Sequence, residues 1–104
     1  MLERIVRMEF QPEKVAEFKS FFESRKARIV SFPGCQHVEL LRDHGLPHVY
    51  YTLSHWDDAT DLENYRTSFF FEETWTATKK FFAGKPRAWS LIPDSGSSAV
   101  SGEE

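Results

Sequence analysis

The stretch from Pro12 to Gly34 constrains the fold most. Within it the apolar residues Val15, Phe18, Phe22 and Ile29 recur at helical spacing, with Phe21 beside them, against a polar background. Pro12 stands where a first helical turn tolerates it, Glu13 follows, and Pro33-Gly34 breaks the pattern. A long amphipathic helix is therefore expected up to about Ser31.

The flanking segments have a different period. In MLERIVRMEF, apolar Leu2, Val6, Met8 and Phe10 alternate with charged Glu3, Arg7 and Glu9, while Arg4 and Ile5 break the alternation. That predicts a strand with one better-buried face. CQHVELLRD and HVYYTLSHW predict two more strands, joined by a turn around His44-Gly45-Leu46-Pro47. With the turn centred near Gly45, Glu39 faces Tyr51 and His37 faces Leu53.

Asp57 or Asp58 then caps a second helix through about Thr67, since a carboxylate there accepts free backbone N–H groups. Ser68 caps a third, with inward stripes Phe71, Trp75, Thr78, Phe82 and Phe70, Thr74, Ala77, Phe81. Gly84 stops it, and PRAWSLIP is a last strand. From Asp94 onward DSGSSAVSGEE is small, polar and acidic. One domain over residues 1–93 and a disordered tail over 94–104 are expected.

The order β-α-β-β-α(α)-β predicts an α+β fold of the ferredoxin-like type, with a four-stranded antiparallel sheet covered by helices on one face. The uncovered face carries Ile5 and either Tyr51 and Leu53 or Tyr50 and Thr52, which is too apolar for water. Two sheets packed face to face would bury it, so a homodimer is expected.

Composition narrows the function classes. A chain of 104 residues, 40% hydrophobic and 15% aromatic, forms one core and is not disordered over most of its length. A formal net charge of -3 gives no electrostatic reason to expect nucleic acid or an anionic membrane. Lone Cys35 cannot form an internal disulfide, the first ten residues are too charged for a signal peptide, and no run is long enough to span a membrane. A cytoplasmic location is expected.

Four features stand together in this order: the Phe32-Pro33-Gly34-Cys35 turn after the first helix, the third strand ending in Trp56, a second helix with Asp58, Ala59, Leu62 and Tyr65, and the step Tyr65-Arg66-x-Ser68. On these features the chain resembles, over roughly residues 2–92, the antibiotic biosynthesis monooxygenase family of dimeric α/β barrels. The resemblance implies a cofactor-independent monooxygenase acting on a small aromatic, quinol or polyketide-like substrate, whose own electrons reduce oxygen in a dry aromatic pocket with a base. The haem-degrading branch relies on an Asn, a Trp and a His ligand; Val6, Tyr65 and Trp75 (or Thr76) stand at those positions, and none is an iron ligand of that type. Many members of the cofactorless branch place a His where Phe70 stands. No cofactor and no metal are expected.

The pocket candidates are Phe22, Tyr50, Trp56, Phe70, Phe71 and Trp75. The catalytic candidates are His37, Arg25 and Tyr65. His37 and His55 share a strand face with Cys35, Glu39 and Tyr51 in the register above, so His37 reads either as a base or as one member of a polar patch. Arg25 falls on the apolar stripe of the first helix and must pair, with Glu72 or Glu73 for example, or bind a substrate oxyanion. Tyr65 reads as core first and pocket second. Two outcomes are separable: a sizeable cavity reached by an ionisable group favours the oxygenase, and a filled core favours a non-catalytic ligand-binding or structural homodimer.

Overall fold

A computed structural model describes residues 1–102; the last two residues of the expected tail lie outside the described residues. The chain forms β1 (Leu2–Glu9), a 3-10 turn (Pro12–Lys14), α1 (Val15–Val30), β2 (Cys35–Arg42), β3 (Val49–Trp56), α2 (Ala59–Arg66), α3 (Phe69–Lys79) and β4 (Arg87–Leu91). The strands make one antiparallel sheet in the order β2-β3-β1-β4. This is the ferredoxin-like α+β arrangement, with α1, α2 and α3 on one face.

Each element starts or stops for a visible local reason. Asp58 caps α2 by accepting the Thr60 backbone N–H at 3.2 Å, and Ser68 Oγ accepts the Phe71 N–H at 3.1 Å to start α3. After α1 the chain turns through Gly34, whose φ of 84° is the left-handed conformation that favours glycine. There the Gly34 carbonyl accepts the Asp57 N–H at 2.8 Å, tying the turn to the start of α2.

The core lies between sheet and helices. Phe10, Phe18 and Trp56 are its most deeply buried large side chains, and Phe10 stacks on Phe18 with ring centroids 4.0 Å apart. Truncating such a phenylalanine to alanine costs about 3–5 kcal/mol in comparable cores. Even-numbered residues of β1 and β3 face the helices, and odd-numbered ones face away.

The β2–β3 register differs from the expected one by two residues. His37 pairs with His55, Glu39 with Leu53 and Leu41 with Tyr51. The cause is the turn, which centres one residue later: Asp43 accepts the Gly45 and Leu46 N–H groups at 2.9 and 3.0 Å, and its own N–H bonds Val49. A shift of two preserves which face each side chain occupies. An irregularity between Cys35 and His37 does not, and it turns Cys35 into the core, away from His37.

The face away from the helices carries Ile5, Tyr51 and Leu53, with Leu41, Trp89 and Leu91 markedly exposed. Tyr50 is on the other side, buried against Phe10 and Phe18. No helix among the described residues is long and apolar enough to cross a membrane. Residues 92–102 lie outside helix and strand and are exposed.

Candidate functional site

The helices do not fill the space above the sheet. A cavity of about 280 Å³ lies between Val6, Thr52 and Ser54 on the sheet and Phe71, Thr74, Trp75 and Thr78 on α3. The pairing explains it. Val6 sits between Thr52 and Ala88, and Arg4 between Ser54 and Ser90, so small side chains cluster across three strands. Folded cores rarely leave voids much larger than a water molecule, whereas ligand sites begin near 300 Å³.

One wall is a continuous run of aromatic rings. Trp56 stacks on Tyr65 at 5.2 Å, Tyr65 meets Phe71 edge-on at 5.1 Å, and Phe71 lies parallel to Trp75 at 6.0 Å. The Trp56 indole is locked by donating to Ser54 Oγ at 2.9 Å. Burial pushes the Tyr65 phenol well above its ordinary value, so at neutral pH its hydroxyl is protonated. The three consecutive phenylalanines have three fates. Phe69 is exposed, Phe70 packs beneath α1 against Phe32, and Phe71 faces the cavity.

The charged groups at the cavity are arginines. Arg4 rises from the helix side of β1 and donates from Nη1 to Ser90 Oγ at 2.9 Å. Burial holds its guanidinium below the ordinary arginine range, and the neighbouring Arg66 pushes the same way, offset in part by Glu63. Arg66 itself contacts Glu63 at 3.3 Å in an exposed pair. Arg87 borders the site with its guanidinium 5.3 Å from the Trp89 ring. Among the described residues, no histidine and no carboxylate lines the cavity.

The candidates from the sequence are thus divided. Phe22, Trp56, Tyr65, Phe71 and Trp75 come together around the cavity; Tyr50 and Phe70 lie in the surrounding core. His37 is on the opposite face of the sheet, 2.9 Å from Glu39 and with its ring 5.1 Å from that of His55. It borders an open depression beside α1 at the sheet edge, so it cannot act on a molecule held in the cavity. His55 Nε2 is buried and 3.2 Å from Glu3 Oε1, yet makes no hydrogen bond, which places that contact off the bonding direction.

Arg25 points from α1 to α3. It binds Glu73 at 2.9 Å and lies over the Phe21 ring at 4.9 Å, behind the cavity wall. Cys35 is buried in the core, and burial raises its thiol. No metal-binding cluster of His, Cys, Asp and Glu is present among the described residues.

Arg4 was not among the sequence candidates, although a signal for it existed. A charged residue on the apolar side of an alternating strand must have either a partner or a cavity beside it.

The same architecture recurs in solved structures. A conserved protein from Methanosarcina mazei Go1 superposes with a TM-score of 0.84 at 20% identity, over 90% of this chain and 94% of the other. A candidate antibiotic biosynthesis monooxygenase from Caulobacter crescentus CB15 gives 0.83 at 24% identity, covering 90% of each chain. A similarly described protein from Bordetella bronchiseptica gives 0.81 at 21%, over 89% and 96%. These likenesses define the fold class. A search of curated proteins finds no match. The family model for antibiotic biosynthesis monooxygenase matches residues 1–80, and the chain belongs to that family.

Proposed function

We propose that the protein is a cofactor-independent monooxygenase acting on a small aromatic, quinol or polyketide-like substrate. The observation that carries the reading is the cavity of about 280 Å³ with its aromatic wall. A filled core would have favoured a purely structural dimer. In a cofactor-free route the substrate supplies both electrons. A ring CH₂ activated by a neighbouring carbonyl loses a proton, the carbanion reduces O₂, one oxygen stays as a new C=O, and the other leaves as water.

Within this scheme the chain excludes water, stacks the ring against Phe71 and Trp75, and presents the Tyr65 hydroxyl and the Arg4 guanidinium to developing negative charge. The proton must leave to solvent or to a base on the substrate, since neither a carboxylate nor an imidazole lines the cavity among the described residues. That same observation supports a second reading, a homodimer that binds a small aromatic ligand without turnover. Both readings place two copies with their apolar outer sheet faces together, in a reducing, cytoplasmic setting that suits the free thiol of Cys35.

Oxygen uptake decides between them. Anthrones and quinols are offered to chelator-treated protein, and to Thr52→Phe, which fills the cavity from its sheet side. The oxygenase predicts uptake that T52F abolishes. Uptake unaffected by T52F contradicts it, and binding without uptake selects the second reading.

A further inference from the structure

The cavity contains a charge that the fold does not neutralise. Arg4 is the one guanidinium that projects from the helix-side face of β1, between Val6 and the serines at 54 and 90. A guanidinium has five N–H donors in a planar fork. Among the described residues, one of them is engaged by a side chain, Ser90 Oγ, and no carboxylate lies within ion-pair distance of Arg4.

Its charged neighbours do not correct this. Arg66 repels it, and Glu63, which attracts it, already contacts Arg66. Two cations against one shared carboxylate leave a surplus positive charge beside an aromatic wall, in a chain whose formal net charge is -3. A partly desolvated cation whose remaining N–H groups are left to water gains a charge-assisted partner when an anion replaces that water.

We infer that the cavity takes an aromatic oxyanion, a carboxylate or an ionised enol or phenol conjugated to its ring, whose oxygens accept from Arg4 while the ring lies against Phe71 and Trp75. The inference rests on the reading of this cavity as the place for a small aromatic molecule, and it names the charge of that molecule. Planar oxyanions suit a guanidinium because two parallel N–H···O bonds fix both position and tilt. Arg66, nearer the surface and shared with Glu63, draws anions towards the mouth.

Calorimetric titration tests it with three bicyclic probes of similar size. 2-Naphthoate supplies the carboxylate, 4-nitro-1-naphthol at pH 8 supplies the phenolate, and 2-naphthamide is the uncharged counterpart. At least one anion should bind the wild-type protein about tenfold or more tighter than the amide, and which anion does so tells the two oxyanion types apart. Arg4→Gln should erase that preference by weakening the anions far more than the amide, and Arg4→Lys should retain part of it. Circular dichroism on both variants checks that they fold.

Equal affinity for the amide and both anions overturns the inference, as does a preference that survives R4Q. Binding of the amide alone overturns it too, while leaving the cavity as an aromatic site. If none of the three binds, the inference and the reading beneath it fall together. Oxygen uptake is scored separately. Anion preference without uptake keeps the charge assignment and removes the oxygenase.

Discussion

Tyr65 lies against Trp56 with ring centroids 5.2 Å apart and planes 28° from parallel, which joins α2 to the end of β3 at the rim of the cavity. Both rings are packed by further neighbours. Trp56 is held by Ser54, and Tyr65 also meets Phe32 and Phe71 edge-on. Two consecutive parts of the chain therefore shape one wall.

The buried phenol makes alkaline stability depend on this contact. A group whose folded pKa is raised contributes stability that is complete below its ordinary value and lost as pH climbs towards the folded one. For Tyr65 that loss begins near pH 10, and the Cys35 thiol, also raised by burial, acts in the same direction. Tyr65→Phe should unfold at higher pH than the wild type in a circular-dichroism titration. An unchanged alkaline midpoint would show that the phenol is not the group being ionised.

Gly34 should tolerate no side chain. Its φ is positive, and an added Cβ would collide with the Asp61 side chain of α2. Strain and collision together should cost roughly 2–4 kcal/mol in Gly34→Ala, read from the urea midpoint. A loss below about half a kcal/mol would mean that the turn rearranges easily.

The start of α3 depends on Ser68. Removing its hydroxyl in Ser68→Ala should cost about 1 kcal/mol and lower Tm by roughly 4–8 °C. Ser68→Asp, which can still accept the Phe71 N–H, should recover most of this. Equal melting of all three proteins would contradict the capping role.

The exposed apolar face of the sheet predicts association. Leu53 stands at its centre on β3, opposite Ile5 and Glu39. Leu53→Asp should give a monomer in sedimentation at micromolar concentration where the wild type gives a dimer, with secondary structure unchanged. A wild-type monomer would remove the dimer from the account.

Much of this fold is legible in the sequence because strong local signals agree. The Phe18–Phe22–Ile29 stripe, the Pro33-Gly34 break and the Ser68 cap each state their element without tertiary help. The β2–β3 pairing is not legible to the residue, since a turn of this length allows neighbouring registers, and Asp43 selects among them through its own hydrogen bonds. The irregularity that separates Cys35 from His37 is equally invisible, and the separation of the histidines from the cavity depends on which face of β3 the helices cover.

The aromatic half of the candidate site follows from helix periodicity, which places Phe22, Phe71 and Trp75 inward. The charged half depends on which strands flank β1. Arg4 becomes a cavity group only because Ser54 and Ser90, far apart in sequence, sit on either side of it.

The three tryptophans allow the most direct test of where a ligand sits. Trp56 and Trp75 line the cavity, and Trp89 is on the outer face of the sheet. Indole N–H signals of ¹⁵N-labelled protein are followed while 2-naphthamide or 2-naphthoate is added. Shifts at Trp56 and Trp75 with Trp89 unmoved are the predicted result. A ligand that moves Trp89 and leaves the other two in place would contradict the assignment of the helix-side cavity as the site.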